Sequence, residues 1–184
     1  MPPPRIIAFG DSITYGYPFG HRYSWVELAS QGLNIPIINA GSNGDTFRNM
    51  ENRLLTDVVD QNPDYVIFLG GANDVIHGSK LEVMKERFER IVKNLIQHKI
   101  KPILGLPTPI ENKKCEAVLA PFRKSVKALA KKKRLPLINF FDPFLEGKRK
   151  RVGIGLLEDG VHPSVTGYKL MAEIATPVIQ RVLK

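Results

Sequence analysis

The chain has 184 residues, of which 43% are hydrophobic and 24% charged, an ordinary globular usage that excludes collagen-like, fibrous and intrinsically disordered proteins. A formal net charge of +9 favours anionic partners, and the single cysteine, Cys115, excludes an internal disulfide and a cysteine-based zinc scaffold. Every apolar run is far shorter than the roughly 18 residues of a membrane helix.

The length suits one domain spanning residues 1–184. The opening MPPPRIIAFGDS has no long apolar core followed by a small-residue cleavage site, so a cytoplasmic location is expected. Five short apolar runs follow in order: Arg5 to Phe9, Ile35 to Ala40, Tyr65 to Leu69, Pro102 to Leu106 and Pro136 to Phe141. Each reads as a strand buried on both faces, which predicts a parallel sheet. Between the later runs, Leu81, Met84, Phe88, Ile91 and Leu95 recur at helical spacing, as do Val118, Leu119, Phe122, Val126 and Leu129. A last helix carries Tyr168, Met171, Ala175, Val178 and Val182 on one face, with Ser164 placed to cap its start. Strands alternating with crossover helices give an α/β protein, a three-layer α/β/α sandwich whose functional groups gather beyond the C-terminal strand ends.

The positive charge concentrates in two clusters, Lys131 to Arg134 and Lys148 to Arg151. The first closes a helical pattern, where cations offset the negative helix end, and the second lies among Gly147, Gly153 and Gly155. Both read as solvated surface. Neither is interleaved with aromatic residues, so nucleic acid is not an expected partner.

The segments at the strand ends carry the chemistry. The first strand runs into Gly10-Asp11-Ser12-Ile13, the second into the stretch Asn39 to Thr46, and the third into Gly70-Gly71-Ala72-Asn73-Asp74. The last helix is preceded by Asp159-Gly160-Val161-His162-Pro163. A serine hydroxyl is a weak nucleophile until a base takes its proton, and a carboxylate holds the imidazole of that base in the right tautomer. Ser12, His162 and Asp159 supply these three roles. A tetrahedral intermediate further needs donors aimed at its oxyanion, and the Ser12 N–H, the Gly44 N–H and the Asn73 side-chain amide are the candidates.

The four segments, in this order and spread over nearly the whole chain, resemble the four motif blocks of the SGNH, or GDSL-type, hydrolases. Ile13 stands where the family name has leucine, an apolar exchange that leaves the chemistry unchanged. The resemblance implies a flavodoxin-like sheet of about five parallel strands and no metal or other cofactor. It also implies hydrolysis of carboxylic esters or thioesters through an acyl-enzyme, with Ser12 as nucleophile, His162 as base, Asp159 as its orienting carboxylate, and Gly44 and Asn73 at the oxyanion. The partner it implies is a small-molecule or lipid ester. Relatives include esterases, lysophospholipases, thioesterases and carbohydrate O-deacetylases, and the blocks do not choose among them. A catalytically silent domain using its basic surface on anionic lipid or nucleic acid is the non-enzymatic alternative.

Around these residues, Asp11 is expected to brace the Ser12 turn and Asp74 to cap the helix that follows it. Gly41 and Gly44 are expected to adopt positive backbone torsions after the second strand. His77 is a rival base and His21 a weaker one, whereas His98 reads as a solvated helix-end residue. Pro107 and Thr108, just past the fourth strand, are candidates for lining an acyl pocket.

Overall fold

The computed structural model describes residues 3–147 and 151–184. Five parallel strands, β1 (Ile6–Gly10), β2 (Ile37–Gly41), β3 (Tyr65–Phe68), β4 (Lys101–Leu106) and β5 (Leu137–Asn139), lie in the order β2-β1-β3-β4-β5. This flavodoxin-like order sets β1 at the centre of the change in winding direction, between β2 and β3. Such crevices outside the carboxyl ends of strands are where open α/β sheets hold ligands.

The helices are α1 (Ser12–Tyr15), α2 (Trp25–Leu33), α3 (Phe47–Asp57), α4 (Ala72–Ile76), α5 (Leu81–Gln97), α6 (Lys113–Lys133) and α7 (Val165–Val182). On one face of the sheet α2 packs against α7, and on the other α3, α5 and α6 pack side by side. The α3 side is filled by rings: Phe68 stacks on Phe88 at 4.7 Å between centroids, and Phe47 meets Phe68, Phe88 and Phe122 edge-on or tilted. Burying these rings together is the main apolar gain on that face. No described helix is long and apolar enough to cross a membrane.

Three expectations need correction. The central strands β1, β3 and β4 are buried on both faces, but β2 is an edge strand and Ile38 is 40% exposed. It has one neighbour and only one well-covered side. The fifth strand is three residues rather than six, because the Asn139 side chain accepts from the Phe141 and Asp142 N–H groups and turns the chain out of the sheet. A two-stranded antiparallel ribbon, β6 (Leu145–Glu146) with β7 (Arg151–Val152), stands where only a glycine-rich gap was expected. Lys148 to Lys150 of the second basic cluster lie outside the described residues.

Candidate active site

Asp11 caps α1 by accepting from the Ile13 N–H at 2.9 Å, the brace expected of it. This turns Ser12 out of β1 into the first helical position, where its own N–H has no carbonyl to meet within the helix. Ser12 Oγ lies 3.0 Å from His162 Nε2, although 150 residues separate them. The other ring nitrogen, Nδ1, lies 2.7 Å from Asp159 Oδ2. A carboxylate only accepts, so the Nδ1 proton points to Asp159 and the Nε2 lone pair to the Ser12 hydroxyl. That is the tautomer a proton-accepting base requires.

The loop that carries His162 is fixed locally. Asp159 Oδ1 accepts from the N–H groups of Val161 and His162 at 3.0 and 2.8 Å, so one carboxylate shapes the turn and orients the ring. Partial burial pushes the Asp159 carboxyl up, but the hydrogen bonds from His162 and Val161 outweigh it and hold the group below its ordinary range. The Tyr17 ring flanks the imidazole at 4.6 Å, and the Tyr168 hydroxyl donates to the Tyr17 carbonyl at 2.7 Å. The rivals do not reach the serine: the His21 ring meets Tyr15 edge-on, and His77 closes α4. His98 is exposed at the end of α5, as expected.

Gly44 and Asn73 border the same strand ends. Gly44 has φ +81°, and a Cβ built on it would meet open space, so only the backbone torsion demands glycine. Gly41 is different, being extended within β2, and a Cβ there would come within 2.2 Å of the Tyr15 nitrogen. Close approach of α1, not a positive φ, selects that glycine. Asn73 Nδ2 donates one hydrogen to the Asp45 carbonyl at 3.0 Å, leaving its second amide hydrogen for another acceptor.

Asp74 does not cap its own helix. It sits inside α4, 2% exposed, and its carboxylate accepts from the Phe47 N–H at 3.0 Å, capping α3 instead. Burial pushes Asp74 up to about 6 and Asp11, with the neighbouring Asp74 and Asp45 charges, up to about 7. Folded Asp11 therefore keeps a proton that the unfolded chain releases above pH 3.8, so its contribution to stability is complete at low pH and lost as pH rises through about 7. Asp11→Asn keeps an acceptor for Ile13 but never ionises. Its melting temperature, measured against wild type from pH 4 to pH 8, should gain at least about 3 °C across that range. A constant difference would mean that folding does not raise the Asp11 carboxyl, which then ionises alike in the folded and unfolded chain.

Two arginines on buried helix stripes escaped the periodicity reading. Arg53 donates to Asp45 Oδ2 at 2.6 Å, to the Ala40 carbonyl at 3.0 Å and to the Gly10 carbonyl at 2.8 Å, lacing together the ends of β1 and β2 and the loop after Gly44. Arg123, 3% exposed, donates to the Pro107 and Thr108 carbonyls at 2.7 and 2.6 Å and to both Glu116 oxygens, while stacking on Phe141. Glu116 in turn accepts from the Ile110 N–H, and the Glu111 N–H donates to the Gly160 carbonyl at 2.9 Å. The loop after β4 is thus clamped by Arg123 and joined to the loop that carries His162. The available signal was spacing: Arg53 lies three residues from Met50, and Arg123 four from Leu119.

Pro107 and Thr108 are themselves buried, Thr108 to 1% exposure, so they offer a ligand almost no surface. Further along the loop, Pro109, Ile110 and Glu111 line a cavity of about 670 Å³ with Phe141 and Arg151. Among the described residues no three His, Cys, Asp or Glu side chains gather into a metal-holding group.

The protein is thus a five-stranded parallel α/β sandwich with a serine, a histidine and a carboxylate joined by hydrogen bonds. The profile of the GDSL-like Lipase/Acylhydrolase family matches residues 8–170, and the chain belongs to this family of hydrolases. It is similar to an uncharacterized lipoprotein, YqeF, of Bacillus subtilis, 37% identical over 119 residues, which are 57% of this chain and 49% of that one. The match thus spans about half of that relative. An acetylxylan esterase of Geobacillus stearothermophilus is 29% identical over 76% of this chain and 70% of its own. A solved G-D-S-L family structure from Desulfitobacterium hafniense DCB-2 superposes with a TM-score of 0.87 at 31% identity, covering 95% of this chain and 98% of that one.

Proposed function

We propose that this protein is a serine hydrolase that cleaves carboxylic esters or thioesters of small or lipid acyl groups through an acyl-enzyme. The observation that carries the reading is the continuous hydrogen-bonded line from Ser12 Oγ through both nitrogens of His162 to Asp159. In this mechanism His162 Nε2 takes the Ser12 proton as Oγ attacks the acyl carbonyl carbon. The tetrahedral oxyanion accepts from the Ser12 and Gly44 N–H groups and from the second Asn73 amide hydrogen. The imidazolium then gives its proton to the leaving alcohol or thiol, and Asp159 stabilises the transient charge without taking the proton. Water attacks the acyl-enzyme by the same route in reverse, returning Ser12 and releasing the acid. Asp11 and Asp74 do not touch the substrate in this scheme; they hold the Ser12 turn and the start of α3.

A carbohydrate O-deacetylase is the second reading, and the cavity beside the base loop favours it. Its wall sets Glu111, Lys113 and Arg151 beside apolar residues such as Phe141 and Leu145, and these polar groups suit a hydroxyl-rich leaving group. The similarity to an acetylxylan esterase points the same way.

Initial rates on p-nitrophenyl esters from acetate to palmitate, beside an acetylated xylo-oligosaccharide, test both readings. A hydrolase with a small acyl site turns over acetate fastest and palmitate little, and Asn73→Ala lowers kcat about 10²- to 10³-fold with KM nearly unchanged. No turnover of any ester by folded protein would leave the silent binding domain as the better account.

A further inference from the structure

The end of the sheet opposite Ser12 holds a cleft of about 530 Å³. It lies where β3 and β4 begin, at the paired residues Tyr65 and Lys101, and runs to the turn before β5. A strand of about five residues at about 3.3 Å each separates it by roughly 15 Å from the catalytic edge. Its rim carries Lys99, Lys101, Lys133 and Arg134, its wall includes the Tyr65 ring and the exposed Ile96, and no aspartate or glutamate lines it.

Helix ends explain part of this charge but not all of it. The C-termini of α5, α6 and α7 all reach the cleft and carry about −0.5 each, so about −1.5 in all faces four cations. None of the four forms an ion pair among the described residues; Lys101 instead lies 5.1 Å over the Tyr65 ring. The nearby Asp64 carboxylate is not among the lining residues and accepts from the Arg5 N–H. A net positive rim around recessed apolar surface is complementary to a ligand with an anionic head and an apolar body. Inorganic phosphate would leave the apolar wall unused. A membrane surface would need several protruding apolar side chains, and of the lining residues only Ile96 is a large apolar residue that is exposed.

We propose that this cleft binds a single amphiphilic carboxylate, a medium-chain fatty acid, with Arg134 and Lys101 on the head group and the chain laid along Tyr65 and Ile96. The guanidinium fork of Arg134 suits a carboxylate, and a volume of this size suits one such molecule. The site does not depend on the catalytic reading.

Calorimetric titration of laurate below its micellar concentration into the whole chain tests the assignment. Saturable binding is expected, weakened at least about tenfold by Lys101→Glu with Arg134→Glu. Dodecanol, which has the same body and no charge, should bind at least about tenfold more weakly than laurate, and inorganic phosphate should not compete. An unchanged melting temperature identifies a folded variant, and the neutral pair Lys101→Gln with Arg134→Gln repeats the test if the charge reversal unfolds the chain. Laurate binding that survives either pair of substitutions lies elsewhere and overturns the proposal. Equal affinity for dodecanol, or full displacement by phosphate, overturns it as well. So does an absence of laurate binding in a protein that sediments with phosphatidylglycerol vesicles, since that result assigns the cations to a membrane surface.

Discussion

Ser12→Ala is expected to lower kcat toward p-nitrophenyl acetate by at least about 10⁴-fold, His162→Ala to cost about as much, and the double variant little more than either alone. The reason is that in the proposed mechanism the two side chains act as one device. With Ser12 Oγ 3.0 Å from His162 Nε2, removing the nucleophile leaves the base nothing to activate, and removing the base leaves a hydroxyl that is almost never ionised at neutral pH. Asp159→Asn should fall short of these losses while remaining severe, because it disturbs the tautomer and the base loop rather than deleting a reacting group. Purified variants with wild-type melting curves and active-site titration of the wild type make the comparison clean. Losses that multiply in the double variant would mean that Ser12 and His162 act independently. Full activity in Ser12→Ala would end the serine mechanism.

Arg123→Met is expected to destabilise the fold by about 3–5 kcal/mol, the usual cost of breaking a buried, hydrogen-bonded charge pair. At this chain length that lowers the melting temperature by about 10 °C. The guanidinium satisfies the Pro107 and Thr108 carbonyls and the Glu116 carboxylate at once, and methionine fills the space without replacing any of these donors. Arg123→Lys should recover only part of the loss, since one ammonium cannot span two carbonyls and a carboxylate in the fork geometry. Because the clamped loop donates from Glu111 to the Gly160 carbonyl, kcat should fall in folded Arg123→Met at temperatures well below its transition. Melting curves matching wild type would show that the neighbouring polar groups find water instead.

The local patterns of the chain reach far into the fold. Apolar runs placed the five strands to within a few residues, and periodicity placed α5, α6 and α7, because burial between two helical layers leaves a continuous apolar signature. The residues of the candidate site were also legible. Asp159 and His162 lie three apart, so their hydrogen bonds form within one turn, and Asp11 reaches Ile13 within another. What local patterning could not carry were contacts between distant segments. Asp74 resembles a cap for the helix it belongs to, yet it caps α3 across 27 residues, since the crossing of the two helix starts brings the Phe47 N–H to it. Arg53 and Arg123 interrupt apolar stripes in a way that reads as noise until the carbonyls they satisfy are seen beside them.

The sequence by itself therefore determined the parallel α/β architecture, the family and the chemical types at the candidate site. These rest on short-range pattern and on side chains that have few uses in such combinations. Only the tertiary structure decided which strands lie at the edges, which carboxylate caps which helix, which arginines lock the loops, and that a cleft lined by four cations and no carboxylate opens at the far end of the sheet. Those properties depend on which distant groups share a space, and burial makes any polar group left there without a partner costly.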